Sequence, residues 1–228
     1  MAFKCFDLSL LGFLDELAQN NERDWFAENK DRYERLVREP ALDFIAAMGP
    51  HLDRFAPEFD AIAKKMGGSL MRVYRDTRFA RDQAPYKTNV GIQFRHTQAK
   101  DVHSPGYYLH IEPGRHFLGA GMWRPEPDAL AAIRTAIVER PKAWKNARDD
   151  KAFKRHYTLD GGALKRPPRG YPADHPYVDD LKRTDFIAGC TLGDADLFRG
   201  DCVGRIAKRF EAATPLMRFL CGAVGVPF

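Results

Sequence analysis

The sequence predicts an α+β protein: helices first, a curved antiparallel sheet in the middle, helices last. Three observations carry this. Apolar residues recur every three or four positions over roughly the first sixty residues and again beyond Pro127. Between those regions they alternate in steps of two. Turn-forming Pro-Gly sequences punctuate the alternating runs. No composition shift divides the 228 residues, so a single domain spanning 1–228 is expected.

Leu10, Leu11, Leu14 and Leu17 form one apolar stripe of a first helix. The polar run from Asn20 to Asp24 breaks it, and Asn21, with Asp24 three residues on, is placed to cap the next helix. Trp25, Phe26, Tyr33, Leu36 and Val37 mark the buried side of that second helix. Pro40 suits the first turn of a third, whose stripe is Leu42, Ile45, Met48, Leu52 and Phe55. Residues 70–74, 90–95, 107–112 and 116–123 then read as half-buried strands. The last two are joined by Pro113-Gly114-Arg115 as a hairpin. Glu126-Pro127-Asp128 starts a helix that buries Leu130, Ile133 and Ile137. Pro141 ends it and opens a short helix through Trp144. Residues 161–176 form a long Gly/Pro-rich loop, 186–192 a further strand, and 201–221 a helical end with a break at Pro215.

Composition excludes several classes. An aromatic content of 12% and a net charge of +5 exclude a disordered chain. No stretch approaches the roughly 18 uninterrupted apolar residues of a membrane span. The apolar run at 8–14 follows Asp7 and is closed by Asp15 and Glu16 with no cleavage site, so it reads as a helix and the protein as cytoplasmic. Cys5, Cys190, Cys202 and Cys221 show no CxxC spacing. They read as reduced core thiols, neither a disulfide frame nor a zinc site. No cofactor and no metal are assigned, and nothing in the sequence signals an oligomeric state.

The charge is localised. Residues 64–97 hold eight cations (Lys64, Lys65, Arg72, Arg75, Arg78, Arg81, Lys87, Arg95) against Asp76 and Asp82, whereas the rest of the chain holds 28 cations against 29 acids. Lys165, Arg166 and Arg169 form a smaller cluster. Such asymmetry is a footprint for an anionic partner.

Side chains alternate between the faces of a strand. Val90, Ile92, Phe94, Tyr107, Leu109 and Ile111 therefore point to the core. The opposite face carries Arg72, Tyr74, Gln93, Arg95, Tyr108, His110 and Glu112. An ordinary solvated face is the plain alternative, but Arg, Tyr and His suit planar hydrogen bonding and stacking. Arg72, Arg75 and Arg78 are spaced three apart, and two guanidinium charges about 5 Å apart repel by roughly 3 kcal/mol at an effective dielectric near 20. Asp76 and Asp82 can neutralise part of this as a structural network. A bound anion would offset the rest, with Lys87 adding a charge and Thr77, Thr88 and Asn89 adding donors.

The runs RVYRDTRFARDQAPYKTN, PGYYLHIEPG, GAGMWRPEPDAL and LKRPPRGYPADHP resemble an uncharacterised microbial and fungal family, domain of unknown function 2461. The resemblance spans residues 10–228. It implies a family but no activity, cofactor or catalytic residue. In that family the stretch after RDTRF more often reads SKDKTPYK. Here Ala80, Arg81, Gln83 and Ala84 depart from it, while Arg75, Asp76, Arg78, Pro85, Tyr86 and Lys87 match.

Other motifs are weaker. Gly119-Ala120-Gly121 lies inside a strand and opens no helix, which excludes a dinucleotide fingerprint. These glycines share a face with Phe117 and Trp123, which indicates close packing or the flat approach of a ligand. His110 and Glu112, with His96, His103 or His116, have metal-ligand residue types, but His110 beside Glu112 and Tyr108 reads better as an acid–base group. The loop from Lys165 to His175 is a candidate lid, with Lys165 and Arg169 adding to an anion site; a rigid surface loop is the alternative. Cys190 is too apolar in its surroundings for a nucleophile.

The leading expectation is therefore a pocket for a small anionic, phosphate- or carboxylate-bearing molecule. Arg72, Tyr74, Arg75, Asp76, Arg78, Tyr86, Lys87, Arg95, Tyr108, Trp123, Lys165 and Arg169 are its candidate binding residues, and His110 and Glu112 its candidate catalytic ones. The alternatives are a nucleic-acid binder, with the basic strip on phosphates and Tyr74, Tyr108 or Trp123 on bases, and a basic protein-interaction module.

Overall fold

The computed structural model of the chain describes residues 3–78, 82–99, 101 and 103–228. Phe79, Ala80 and Arg81 of the basic motif lie outside them. The apolar stripe of the first helix, α1 (Ser9–Gln19), buries Leu10, Phe13, Leu14 and Leu17. The expected second and third helices are α2 (Arg23–Glu28), α3 (Lys30–Tyr33) and α4 (Glu39–Phe55), the last two joined by a π-helical turn, Glu34–Arg38. Pro40 sits in the first turn of α4 and has no N–H to donate, and the helix widens into the π turn just before it.

Asn21 does not cap α2, because Glu22 occupies that position. Its amide turns to Tyr86 instead: Oδ1 accepts from the Tyr86 N–H at 3.0 Å and Nδ2 donates to the Tyr86 carbonyl at 3.0 Å. One side chain thereby satisfies both backbone groups of a buried residue, a competing use that capping preferences do not reveal.

The sheet has six strands, all antiparallel, in the order β1 (Phe59–Asp60), β2 (Val90–His96), β3 (Gly106–Glu112), β4 (Arg115–Met122), β6 (Phe186–Leu192), β5 (Thr158–Asp160). Gly114, with φ at 71°, supplies the hairpin turn between β3 and β4. Residues 70–74 do not form the regular strand that their alternation predicts. Among the described residues their backbone pairs through two isolated bridges, Leu70↔Ile92 and Tyr74↔Tyr86, while Leu70 and Val73 are buried in the core, so the segment runs as an irregular arm.

The helices α5 (Pro127–Glu139), α6 (Pro141–Arg148), α7 (Lys151–His156), α8 (Val178–Leu181), α9 (Asp194–Phe198), α10 (Cys202–Ala212) and α11 (Thr214–Ala223) complete the chain, with the predicted interruption before Pro215. α4 packs against β2 and α11 against β4. Ile92, Phe94, Tyr107, Leu109, Leu118 and Phe186 are fully buried in the resulting core. One buried cluster runs from Phe6 to Cys221. All four cysteines are unbridged, and burial raises the thiol pKa of Cys190 and pushes those of Cys202 and Cys221 up to about 12. No helix among the described residues is long and apolar enough to cross a membrane.

Candidate functional site

The sheet face turned away from the helices holds a cleft of about 770 Å³. Register makes its floor explicit. One row across five strands reads Gln93, Tyr108, Gly119, Gly189, Thr158. The next row reads Arg95, Gly106, Gly121, Ile187, Asp160. Four glycines thus meet at the centre, bounded by Tyr108 and Phe117 on one side and Thr158 on the other. Tyr108 and Thr158 are three strand spacings apart, about 14 Å. These glycines have different causes. Gly121 has φ at 129°, and a Cβ there would fall 2.0 Å from the Phe186 carbonyl oxygen. A Cβ on Gly189 would meet nothing within 4 Å, and one on Gly119 only the Tyr108 side chain at ordinary contact. A Cβ on Gly106 would fall 3.2 Å from the Phe94 carbonyl oxygen, so the fold accounts for Gly121 and Gly106 and leaves Gly119 and Gly189 unexplained.

At one wall of the cleft three residues of β3 at alternate positions are joined in series. The Tyr108 hydroxyl lies 3.0 Å from His110 Nδ1, and His110 Nε2 lies 3.0 Å from Glu112 Oε2. A carboxylate can only accept, so Nε2 carries the ring proton and Nδ1 accepts from the Tyr108 O–H, with the Asn89 amide 3.5 Å away. Gly91 makes this reach available: a Cβ there would fall 2.9 Å from the Tyr108 hydroxyl oxygen. The Phe117 ring stacks on His110 at 4.6 Å and 18°, and the Arg115 guanidinium lies 5.2 Å from the Phe117 centroid. Of these three residues, Tyr108 lines the cleft and His110 and Glu112 do not.

Burial lowers the pKa of His110, with the Glu112 carboxylate opposing. Burial, and then the Glu112 charge, push Tyr108 up to about 12. The neutral imidazole is therefore the resting form near pH 7. The unfolded chain protonates its histidine near about 6.5, before the folded one does, so His110 contributes stability above that pH and loses it as pH falls toward its depressed value. A ring-nitrogen NMR titration should find its midpoint below 6.5, and Glu112→Gln should move it lower still. A midpoint above 6.5, or an upward move in the variant, would contradict this account.

The remaining candidates are placed elsewhere. Arg75 donates to Asp82 at 2.6 Å and to the Ala84 carbonyl at 3.2 Å, and Arg78 forms a bidentate pair with Asp76 at 2.7 and 2.9 Å. The Arg78 contact holds Asp76 down at about 2. The expected convergence of Arg72, Arg75 and Arg78 on an anion is therefore not what forms: two of the three are neutralised by carboxylates within their own arm. Lys65 also stands 3.6 Å from Glu34. Arg72 is exposed, and burial followed by the Arg72 charge lowers the pKa of half-buried Lys87. Tyr86 is a core residue, stacked on Phe26 at 4.0 Å, with Tyr74 at 5.3 Å. Arg95 shares the open face but does not line the cleft, and neither do exposed Lys165 and Arg169.

Trp123 does line it, with 47% of its surface exposed at the rim. Its indole is flanked by the His103 ring, 5.6 Å away at 13°, and by the Arg124 guanidinium at 4.9 Å. Arg124 takes φ of 46°, held there by its N–H donating to Asp185 at 2.7 Å. Arg115, Thr158, Asp160 and Gly189 were not anticipated. The alternation that picked out Tyr108 would have reached Gly189 had it been extended to 186–192, whereas the three-residue β5 is too short to read.

The histidines named as co-ligands of His110 do not gather round it. His96 Nε2 faces the Pro227 carbonyl at 2.8 Å, and His116 Nε2 faces Asp194 at 3.3 Å. Among the described residues, the one group with metal-ligand spacing is Asp101, His103 and Glu126, whose ligand atoms lie within 4.8 Å of one another. Both of its carboxylates are exposed.

Fold and cleft together define the class: an α+β protein with helices on one face of a six-stranded antiparallel sheet and a glycine-floored hollow on the other. The chain belongs to the family of conserved hypothetical proteins DUF2461, whose sequence profile matches residues 9–219. No curated protein and no solved structure matches it.

Proposed function

We propose that the cleft binds a small molecule through one flat face laid on the glycine floor. Trp123 and Phe117 would bound the ring, the Tyr108 hydroxyl would hydrogen-bond its edge, and Arg115 would receive any negative group. The single observation that carries this reading is the pair Gly119 and Gly189, side by side in the floor, where side chains would fit and none is present. Backbone left bare without internal cause suits close approach of a planar ligand. This differs from an anion site built on the arginines of residues 72–78, because Arg75 and Arg78 are engaged by carboxylates and line no part of the cleft.

Ligand-observed NMR with benzenesulfonamide, adenosine, nicotinamide and nicotinate tests the reading. At least one should bind the native protein and be lost in Gly189→Leu, whose circular dichroism and Tm should remain those of the parent. Preference for nicotinate over nicotinamide would report the Arg115 contribution. Binders unaffected by Gly189→Leu, or none at all, would refute it. A short single-stranded oligonucleotide that binds with steep salt dependence and ignores this substitution would instead favour the basic strip.

A further inference from the structure

We infer that Tyr108 is an activated phenol, able to attack an electrophilic centre of a molecule lying on the glycine floor, with His110 as its base and Glu112 as the group that orients that base. The inference rests on the cleft reading above and gives it a chemistry: the substrate class is a flat-faced ester or comparable acyl, sulfonyl or phosphoryl compound. A hydroxyl is a weak nucleophile on its own. It becomes effective when a neutral base sits within hydrogen-bond reach and a third group fixes that base. Both contacts here are 3.0 Å, and the tautomer they enforce leaves Nδ1 ready to accept. Phe117, stacked on the imidazole, holds its plane. Gly91 leaves the space through which the hydroxyl reaches Nδ1. Tyr108 is also the member of the trio that lines the cleft.

The step can be written for an aryl sulfonyl fluoride. The Tyr108 oxygen forms a bond to sulfur, the S–F bond breaks, and fluoride leaves. The phenolic proton passes to His110 Nδ1, and the Glu112 carboxylate offsets the imidazolium charge. The groups whose charge or hydrogen bonds act on His110 are Glu112 and Tyr108 on its own strand and, at longer range, Arg115 and His116 on β4, the latter on the opposite face of the sheet; the segment before β2 contributes the neutral Asn89. Reaction therefore needs His110 neutral.

Benzenesulfonyl fluoride is the probe, with peptide mass mapping as the readout and benzenesulfonamide as its unreactive analogue. Labelling is expected at Tyr108, absent in Tyr108→Phe, and slowed by a competing excess of benzenesulfonamide. His110→Gln should slow it by about 10²-fold or more, within the usual range for a lost general base. The rate should rise with pH to a plateau set by His110, below 6.5, and not climb onward as a bare phenol does. If His110→Gln fails to fold, Glu112→Gln must lower the rate and shift the profile. Benzenesulfonamide binding with Tyr108 unlabelled overturns the inference and leaves the cleft reading standing. Labelling at an unchanged rate in both relay variants also overturns it. Failure of both reagents to bind removes the inference together with the reading beneath it.

Discussion

Gly121→Ala is expected to destabilise the protein by about 3–4 kcal/mol, through backbone strain and overpacking together. The added methyl would fall 2.0 Å from the Phe186 carbonyl oxygen and 2.9 Å from the Ile187 Cα, both backbone atoms of the neighbouring strand. Neither can move without breaking the β4–β6 ladder in which Gly121 faces Ile187. The φ of 129° adds a cost that relaxation of neighbours does not remove. For a chain of this size such a loss corresponds to roughly 10 °C in Tm. Urea unfolding of Gly121→Ala beside Gly189→Ala is the cleanest measurement, since the second change sits in the same floor and should stay within about 0.5 kcal/mol of the parent. A cost under about 1 kcal/mol at Gly121 would show that the two strands part more easily than their register implies.

Asp180→Ala is expected to cost about 3–5 kcal/mol, the usual range when one partner of a buried charged network is removed. Asp180 is 5% exposed. Its Oδ2 accepts from the Trp144 indole N–H at 2.8 Å and from Arg148 at 2.7 Å, and Arg183 approaches Oδ1 at 3.4 Å. Trp144 is fully buried, so its N–H would be left without a partner. Arg148 retains Asp149 and the Tyr177 ring, which places the loss toward the lower end. Asp180→Asn keeps an acceptor for the indole and should recover part of it. Chemical denaturation followed by tryptophan fluorescence would check both; equal stability of Asp180→Ala and the parent would mean that solvent reaches this network.

What the sequence disclosed follows the reach of its patterns. Alternation at 90–95 and 107–112 gave the correct core face because burial on one side imposes period two. The same alternation at 70–74 misled. Val73 is buried there as the pattern requires, yet the arm leaves the ladder after a bridge at each end. Asn21 shows the limit of local signals: its partner lies 65 residues away, and no capping rule weighs a bond at that distance. Tyr108, His110 and Glu112 were legible because a single strand carries them. The cleft they border was not, since its floor is assembled from β3, β4 and β6 by pairings that only the folded sheet supplies. The arginine spacing pointed to a shared anion, but Arg75 and Arg78 pair with Asp82 and Asp76, carboxylates close by in sequence.

The hydrogen-bonded series of Tyr108, His110 and Glu112 is confined to seven residues that enter and leave the sheet as one piece. Tyr108, His110 and Glu112 thus travel together on one strand, whereas the glycine floor beside them is assembled from separate strands. Lengthening the turn at Gly114 would slide that floor past an intact trio, and substitutions in β6 would reshape the floor without touching the trio's contacts.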